Sequence, residues 1–226
     1  MKDKAVIFDF NGTLFWDSEI NFQAWKRVIK IWFDREYSID EYFILNGRTT
    51  KETLSILFDR DLSDAEVEEY SSIKADEYFK IMREQESSIS LAPGVTTFIE
   101  NLKSRGINVA IATSATTEYM SEYDKYFKLH QYFDKQFIIA NDGNYKSKPD
   151  PEIYIKAMET LNVSPSNVVV FEDTKSGILS AYNAKVNKVF AINSPLSAVE
   201  SVINLNETHR VLPDFHNINI DELFEN

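Results

Sequence analysis

Residues 5–14 read AVIFDFNGTL, a short apolar run that is interrupted by Asp9 and followed by the turn signal Asn11-Gly12-Thr13. The apolar residues predict a buried strand, and the polar residues predict a loop at its carboxyl end. Similar short apolar runs, each followed by polar residues, recur at 108–112, 136–140, 167–171 and 188–192. We therefore expect a series of buried strands that each end in a polar loop.

Segments with apolar residues at helical spacing lie between these runs. They are Val95, Phe98, Ile99 and Leu102; Ile153, Ala157, Met158 and Leu161; and Ile178, Leu179 and Tyr182. Strands that are apolar on both faces and alternate with amphipathic helices are typical of an α/β fold with a doubly wound parallel sheet, a Rossmann-like core. Val211-Leu212 also fits an edge strand of that sheet.

Residues 15–88 have helical periodicity but no convincing strand run. Three apolar stripes carry the pattern: Ile20, Ala24, Val28 and Trp32; Leu54, Leu57 and Phe58; and Val67, Tyr70, Tyr78, Ile81 and Met82. We interpret 15–88 as an all-helical domain inserted after the first strand, and 1–14 plus 89–226 as the core domain. Pro93-Gly94 suits the junction where the chain returns to the core.

The composition excludes several classes of function. Lys plus Arg number 24 against 36 for Asp plus Glu, which gives a net charge of −12 and disfavours nucleic-acid or anionic-membrane partners. The absence of cysteine excludes a disulfide scaffold, a thiol nucleophile and a thiolate metal site. No apolar run approaches the roughly 18 residues of a membrane span, and Asp9 falls where a signal peptide would be apolar. We expect a cytoplasmic protein, monomeric or weakly dimeric.

Polar side chains follow four of the predicted strands, at the edge where open parallel sheets bind ligands. They are Asp9 and Asn11 after the first strand, Thr113 and Ser114 after the second, Lys146 and Lys148 past the third, and Glu172 and Asp173 after the fourth. Because the carboxyl ends of parallel strands share one edge, these side chains are expected to form a single site.

The residue types in this set point to phosphoryl transfer. Three carboxylates, Asp9, Glu172 and Asp173, would repel one another without a divalent cation, and oxygen ligands suit Mg²⁺. Thr113 and Ser114 are expected beside the start of the next helix, where free amides favour phosphate. A lysine adds a compact positive charge for the phosphoryl oxygens. Asp9 is then the candidate nucleophile, which attacks phosphorus to give an aspartyl phosphate.

Four segments of the chain resemble the ordered motifs of the haloacid dehalogenase-like hydrolases. They are VIFDFNGTL (6–14), AIATSA (110–115), KSKPDPEIY (146–154) and VVVFEDT (168–174). The inserted helical block resembles the helical cap of that family, and the likeness is strongest to the branch that contains β-phosphoglucomutase and phosphoglycolate phosphatase. Each motif alone is weak evidence, but four in order are highly specific. The resemblance implies a magnesium-dependent phosphohydrolase that acts on a small phosphorylated metabolite.

Carried over by position, the resemblance assigns a role to each residue of the site. Asp9 corresponds to the nucleophile and Thr113 to a phosphate ligand. Lys148 corresponds to the charge-balancing lysine, and we favour it over Lys146 because it directly precedes Pro149. The implied magnesium ligands are the carboxylates of Asp9, Glu172 and Asp173 and the backbone carbonyl of Asn11.

Asn11 departs from the family pattern. The phosphatases and mutases of the family have a second aspartate here, which protonates the leaving oxygen and later deprotonates the attacking water. An amide does neither, and general acid–base catalysis is typically worth about 10² to 10⁴ in rate. Four outcomes are open: a slow enzyme, a preference for acyl or aryl phosphates, another acid such as Asp17 in its place, or a non-catalytic domain that binds phosphate.

The segment 46–51, NGRTTK, is the expected substrate-facing loop of the cap. Gly47, Arg48 and Lys51 suit an anionic substrate tail. In β-phosphoglucomutase an arginine that binds the distal phosphate stands at the position of Thr50, and a histidine stands at that of Asn21. Both departures count against a mutase, which stays an alternative within the same chemistry because Arg48 or Lys51 could compensate.

Overall fold

The computed structural model describes residues 3–45, 48–197 and 200–225. The chain divides into two compact units, Met1–Trp16 with Ser90–Asn226, and Asp17–Ile89. No helix in these described ranges is long and apolar enough to cross a membrane.

The inserted unit consists of helices among its described residues: α1 (Ser18–Phe33), α2 (Ile39–Leu45), α3 (Thr50–Phe58) and α4 (Asp64–Glu84). Two of them begin with reciprocal capping boxes, in which a hydroxyl side chain and a glutamate three residues later satisfy each other's backbone amides. Thr49 pairs with Glu52 at α3, and Ser63 pairs with Glu66 at α4. These polar contacts fix where the helices begin, and the apolar stripes then bury residues along α1 and α4.

The core unit is built on a parallel sheet of six strands. They are β1 (Ala5–Phe8), β2 (Asn108–Thr116), β3 (Ile138–Asn141), β4 (Val168–Glu172), β5 (Lys188–Ile192) and β6 (Arg210–Leu212). Their spatial order is β3-β2-β1-β4-β5-β6, with every pair parallel. The predicted doubly wound α/β fold is confirmed, including the edge strand at Val211-Leu212. The order reverses between β1 and β4, and that point is where such sheets bind ligands.

Helices flank the sheet in the core unit: α5 (Val95–Ser104), α6 (Thr117–Phe127), α7 (Glu152–Leu161), α8 (Lys175–Asn183) and α9 (Glu200–Ile203). Ile7 and Val170 point into an aliphatic cluster shared with α7 and α8. Phe8 and Phe171 point to the opposite face, where their rings stack with centroids 5.4 Å apart. Packing on both faces therefore fixes the two central strands, whose ends carry Asp9 and Glu172.

Three local predictions differ from the structure in detail. The strand predicted at 136–140 is present as β3 but begins two residues later, at Ile138, because Lys135–Phe137 forms a 3₁₀ turn. β2 continues past its predicted end to Thr116, since it pairs with β3 beyond the point where β1 stops. Tyr182 is 49% exposed, because the buried face of α8 runs through Ile178 and Ala181 instead.

Candidate active site

Three carboxylates meet at the switch point between β1 and β4. Asp9 follows β1 directly, Glu172 is the last residue of β4, and Asp173 comes next. Each offers an oxygen, and these ligand atoms all lie within 4.8 Å of one another. The register holds them there, because the backbone amide of Asp9 donates to the carbonyl of Phe171 at 3.0 Å. A hard divalent cation such as Mg²⁺ suits this oxygen donor set, since it offsets the repulsion among the three charges.

Two glycines make room for these carboxylates. Gly12 has φ +79°, and a Cβ there would collide with Oδ2 of Asp173. A Cβ on Gly177, near the start of α8, would collide with both carboxylate oxygens of Glu172. Gly12 is therefore required both for its left-handed backbone conformation and for the close approach of Asp173. Gly177 lies inside a helix and is required only for the close approach of Glu172.

Lys148 joins two of the three carboxylates. Its Nζ lies 2.6 Å from Oδ1 of Asp9 and 2.6 Å from Oε1 of Glu172, and it also donates to the carbonyl of Ala112 at 3.2 Å. Its side chain is only 7% exposed. Burial alone would lower the pKa of Lys148, but the two carboxylates outweigh it and hold the pKa above its usual range. The lysine is a permanent cation within reach of the candidate nucleophile.

The structure places Lys146 elsewhere. Its side chain is 73% exposed and lies 3.7 Å from Asp150 and 3.5 Å from Glu152, both at the approach to α7. The geometry therefore brings Lys148, and not Lys146, to the carboxylates.

Tyr154 belongs to the same buried cluster, although the sequence analysis did not select it. Its hydroxyl donates to Oε1 of Glu172 at 2.7 Å, and its ring lies under the Lys148 ammonium, 5.0 Å from Nζ to the ring centroid. The other oxygen of Glu172 accepts from the amide of Asp173 at 3.0 Å, and from the amide and hydroxyl of Thr174 at 3.3 and 3.2 Å. Both carboxylate oxygens of Glu172 therefore accept hydrogen bonds that hold the side chain in place.

Thr113 and Ser114 do not lie at the start of a helix, contrary to the sequence prediction. Both are inside β2, whose extension toward β3 carries the chain on to Thr116, the N-cap of α6. Thr113 is 1% exposed and its Oγ1 accepts from the amide of Ala115 at 3.1 Å, while Ser114 is exposed. The helix therefore begins about three residues later than expected, and any phosphate contact of Thr113 comes from within a strand.

Asn11 is anchored by an aromatic residue of the core unit. Its Nδ2 donates to the hydroxyl of Tyr123 on α6 at 3.0 Å. Tyr123 is 1% exposed and packs against Phe10 and Phe15. The side chain at position 11 is consequently held by a fixed hydroxyl. This contact links residues 112 positions apart, and no local pattern indicates it.

The inserted unit contains a small polar pocket of about 100 Å³. Its lining residues are Asn21, Trp25, Tyr37, Tyr42, Leu45, Arg48, Thr50, Thr53 and Lys74. Arg48, which was predicted to bind the substrate, lines the pocket, and Lys74 adds a cation that no sequence pattern indicated. Lys51 is not among the lining residues, because it forms a surface ion pair with Asp64 at 2.7 Å. Gly47 lies outside the described residues.

Lys74 is held by a carbonyl oxygen and two aromatic faces. Its Nζ donates to Oδ1 of Asn21 and lies 5.6 Å from the ring centroid of Trp25 and 5.1 Å from that of Tyr78. Burial lowers the pKa of Lys74 to about 8, although the charge of Asp17 acts in the opposite direction. Asp17 accepts from the hydroxyl of Tyr78 at 2.7 Å. The pocket therefore contains a cation whose charge changes slightly above neutral pH.

The parallel sheet, the carboxylates at its switch point and the inserted helical unit place the protein in the class of doubly wound α/β proteins with a helical insertion. Residues 6–191 match the family described as Haloacid dehalogenase-like hydrolase, and the chain belongs to that family.

Relatives named for a phosphatase and a mutase activity support the same assignment. A phosphorylated carbohydrates phosphatase from Thermotoga maritima is 31% identical over 212 residues, which cover 93% of this chain and 95% of that protein. A beta-phosphoglucomutase from Bacillus subtilis is 29% identical and covers 80% of each chain. A crystal structure of a family IA, variant 3 HAD hydrolase from Entamoeba histolytica has a TM-score of 0.91 and 35% identity, and covers 98% of this chain and 97% of that chain. The resemblance stated from the four motifs is confirmed.

Proposed function

We propose that the protein is a magnesium-dependent phosphohydrolase that acts on a small phosphorylated metabolite through an aspartyl phosphate on Asp9. The observation that carries this proposal is the buried cluster in which Lys148 bridges Asp9 and Glu172, with Asp173 close by. The relative from Thermotoga maritima, a phosphorylated carbohydrates phosphatase, supports the same reaction class. The test is release of inorganic phosphate from p-nitrophenyl phosphate, with Mg²⁺ and after its removal by a chelator.

In this proposal the residues of the cluster have different roles in the reaction. Asp9, Glu172, Asp173 and the backbone carbonyl of Asn11 would hold Mg²⁺, which would supply positive charge for the phosphoryl oxygens. Asp9 attacks phosphorus with one carboxylate oxygen, and the bond from phosphorus to the leaving oxygen breaks. Lys148 stays protonated and offsets the negative charge of the transferring group. Water then attacks phosphorus, the bond between phosphorus and the Asp9 oxygen breaks, and inorganic phosphate leaves while the proton of the water passes to solvent.

Asn11 sets the preferred leaving group in this scheme. An amide does not protonate the leaving oxygen, so the departing group must leave as an anion or take its proton from water. Aryl and acyl phosphates, whose leaving groups are acidic, are therefore the expected good substrates. Alkyl phosphates should be slower by about 10² to 10⁴ relative to an enzyme that has an acid at this position.

We propose that the pocket in the inserted unit selects the substrate. Arg48 and Lys74 supply positive charge, and Thr50 with Tyr42 supplies hydroxyl groups. Such a lining suits a hydroxylated group that carries its own negative charge. A phosphorylated carbohydrate or related acid fits this chemistry.

The pH dependence of substrate affinity tests the role of Lys74. Because the pKa of Lys74 is lowered to about 8, the ammonium is charged at pH 7 and mostly neutral at pH 9. For a sugar phosphate with a second anionic group, KM should rise by about tenfold between those pH values, since about a tenth of the lysine stays charged one unit above its pKa. The measurement is a KM–pH profile for wild type and Lys74→Met. If KM rises by the same factor between pH 7 and pH 9 in Lys74→Met, Lys74 does not bind the second anionic group. The control substrate is p-nitrophenyl phosphate, which lacks that group, so its KM should not show the rise.

Gly177→Ala tests the metal site. Alanine inside a helix would by itself be stabilising by up to about 1 kcal/mol. Its Cβ would nevertheless collide with the carboxylate of Glu172, which must then turn away from the cluster. We expect Mg²⁺ affinity, measured by calorimetric titration, to fall by about 10- to 100-fold. The unfolding temperature should also fall, because Lys148, Tyr154 and Thr174 lose the buried acceptor that Glu172 gives them. Lys175→Ala, an exposed change on the same helix, is the control; unchanged affinity in Gly177→Ala would argue against Glu172 as part of the magnesium site.

A second candidate function is non-catalytic phosphate binding, and Asn11 is the observation that favours it. A domain of that kind would bind inorganic phosphate with Mg²⁺ but would not hydrolyse any member of a broad phosphate panel. The mutase alternative has less support, because the pocket lining contains Thr50 and Asn21 where β-phosphoglucomutase has its arginine and histidine.

A further inference from the structure

Tyr154 contacts both the lysine and the glutamate of the acidic cluster. Its hydroxyl donates to Oε1 of Glu172 at 2.7 Å, and Nζ of Lys148 lies 5.0 Å above the centre of its ring. The side chain is fully buried on α7, which begins four residues after Lys148. Tyr154 therefore interacts with Lys148 in two ways. Its ring face lies next to the ammonium, and its hydroxyl shares the acceptor Oε1 of Glu172 with the lysine.

The shared acceptor determines how Lys148 divides its hydrogen bonds. Its ammonium has three N–H donors, and three acceptors are in place: Asp9, Glu172 and the carbonyl of Ala112. Asp9 and Glu172 compete for this cation at equal distances of 2.6 Å. A neutral donor on Oε1 of Glu172 reduces the negative charge that this oxygen presents to the lysine. The balance between the two carboxylates consequently depends on the hydroxyl of Tyr154.

We propose that Tyr154 is a positioning residue that keeps Lys148 shared between Glu172 and Asp9, so that Asp9 is held in place for attack on phosphorus. The proposal rests on the phosphohydrolase function stated above. Without the hydroxyl, Glu172 has Lys148 as its remaining donor on Oε1 and draws it away from Asp9. The loss is therefore expected in the step in which Asp9 attacks phosphorus, and substrate affinity is expected to change little.

The kinetic test is Tyr154→Phe, which removes the hydroxyl and keeps the ring. With p-nitrophenyl phosphate and saturating Mg²⁺, we expect the rate of the first turnover, in which Asp9 attacks phosphorus, to fall by about tenfold. The substrate concentration that half-saturates this rate should stay within about twofold, the pattern of an interaction that acts in the transition state. Ile153→Val is the matched control, since it removes one buried methylene from the same helix and should leave the first-turnover rate unchanged. Thermal unfolding checks that both variants are folded. A first-turnover rate for Tyr154→Phe within twofold of wild type would overturn the proposal.

A spectroscopic test decides the proposal without turnover. The chemical shift of the Lys148 ammonium ¹⁵N resonance is compared among wild type, Tyr154→Phe and Ile153→Val at one fixed pH. The resonance is assigned by its loss in Lys148→Arg. It should move in Tyr154→Phe and stay in place in Ile153→Val. If wild type hydrolyses no phosphate ester, the proposed function fails while this comparison still reports on Tyr154. A Lys148 resonance that is the same in Tyr154→Phe and wild type means that Tyr154 does not position the lysine, whatever the activity.

Discussion

Asp9→Asn is expected to reduce phosphate release by a factor on the order of 10⁶, the effect that removal of a nucleophile has in a serine hydrolase. The substitution keeps the shape of the side chain but removes the charged oxygen that attacks phosphorus. Lys148 would retain Glu172 as a partner, so the fold should survive. The measurement is the initial rate with p-nitrophenyl phosphate and Mg²⁺, beside a thermal unfolding curve.

The control for this experiment is Asp134→Asn, which removes the same charge from an exposed residue of the core unit. Its rate should equal that of wild type. If Asp9→Asn retained more than about a tenth of the wild-type rate, the nucleophile would have to be sought elsewhere and covalent catalysis at Asp9 would be wrong.

Asn11→Asp should increase kcat/KM for alkyl phosphates by about 10² to 10⁴, the usual contribution of a general acid–base group. The gain in kcat/KM should be much smaller with p-nitrophenyl phosphate, because kcat/KM reports the attack by Asp9 and this acidic leaving group needs no proton. The hydroxyl of Tyr123, which now accepts from Asn11, can instead donate to the new carboxylate, so the side chain should stay in place. The measurement is kcat/KM for a sugar phosphate and for p-nitrophenyl phosphate in both proteins.

Asn101→Asp, which adds the same charge on an exposed residue of α5, controls for the change in net charge. Hydrolysis seen in Asn11→Asp but not in wild type would support the phosphate-binding domain as the natural function. An Asn11→Asp rate no higher than wild type on alkyl phosphates would mean that another group already supplies the proton.

Much of the fold could be predicted because the central strands are apolar on both faces. Ala5–Phe8 and Val168–Glu172 are fully buried strands, and only a sheet covered by helices on both sides accommodates such runs. Once the sheet is parallel, Asp9 and Glu172 must emerge at the same edge. This reasoning predicted which carboxylates meet before any distance was known, although their roles in catalysis remain a proposal.

The parts that could not be predicted depend on contacts between distant residues. Tyr154 lies inside a quoted motif, but its spacing from the other motif residues does not show that its hydroxyl reaches Glu172. Lys74 lies in the charged helix α4, and only the packing of α1 on α4 places it beside Trp25. The length of β2 depended on pairing with β3, since the residues around Thr113 have no apolar periodicity of their own.

Mass spectrometry of wild type, quenched with acid during turnover of p-nitrophenyl phosphate, tests the central claim most directly. Because Asn11 cannot activate water, breakdown of the intermediate should be slow and the phosphorylated protein should accumulate. We predict the mass of one added phosphoryl group on the peptide that contains Asp9, and its absence in Asp9→Asn. Phosphate release with no modification of that peptide, or with the phosphoryl group on another residue, would contradict the account.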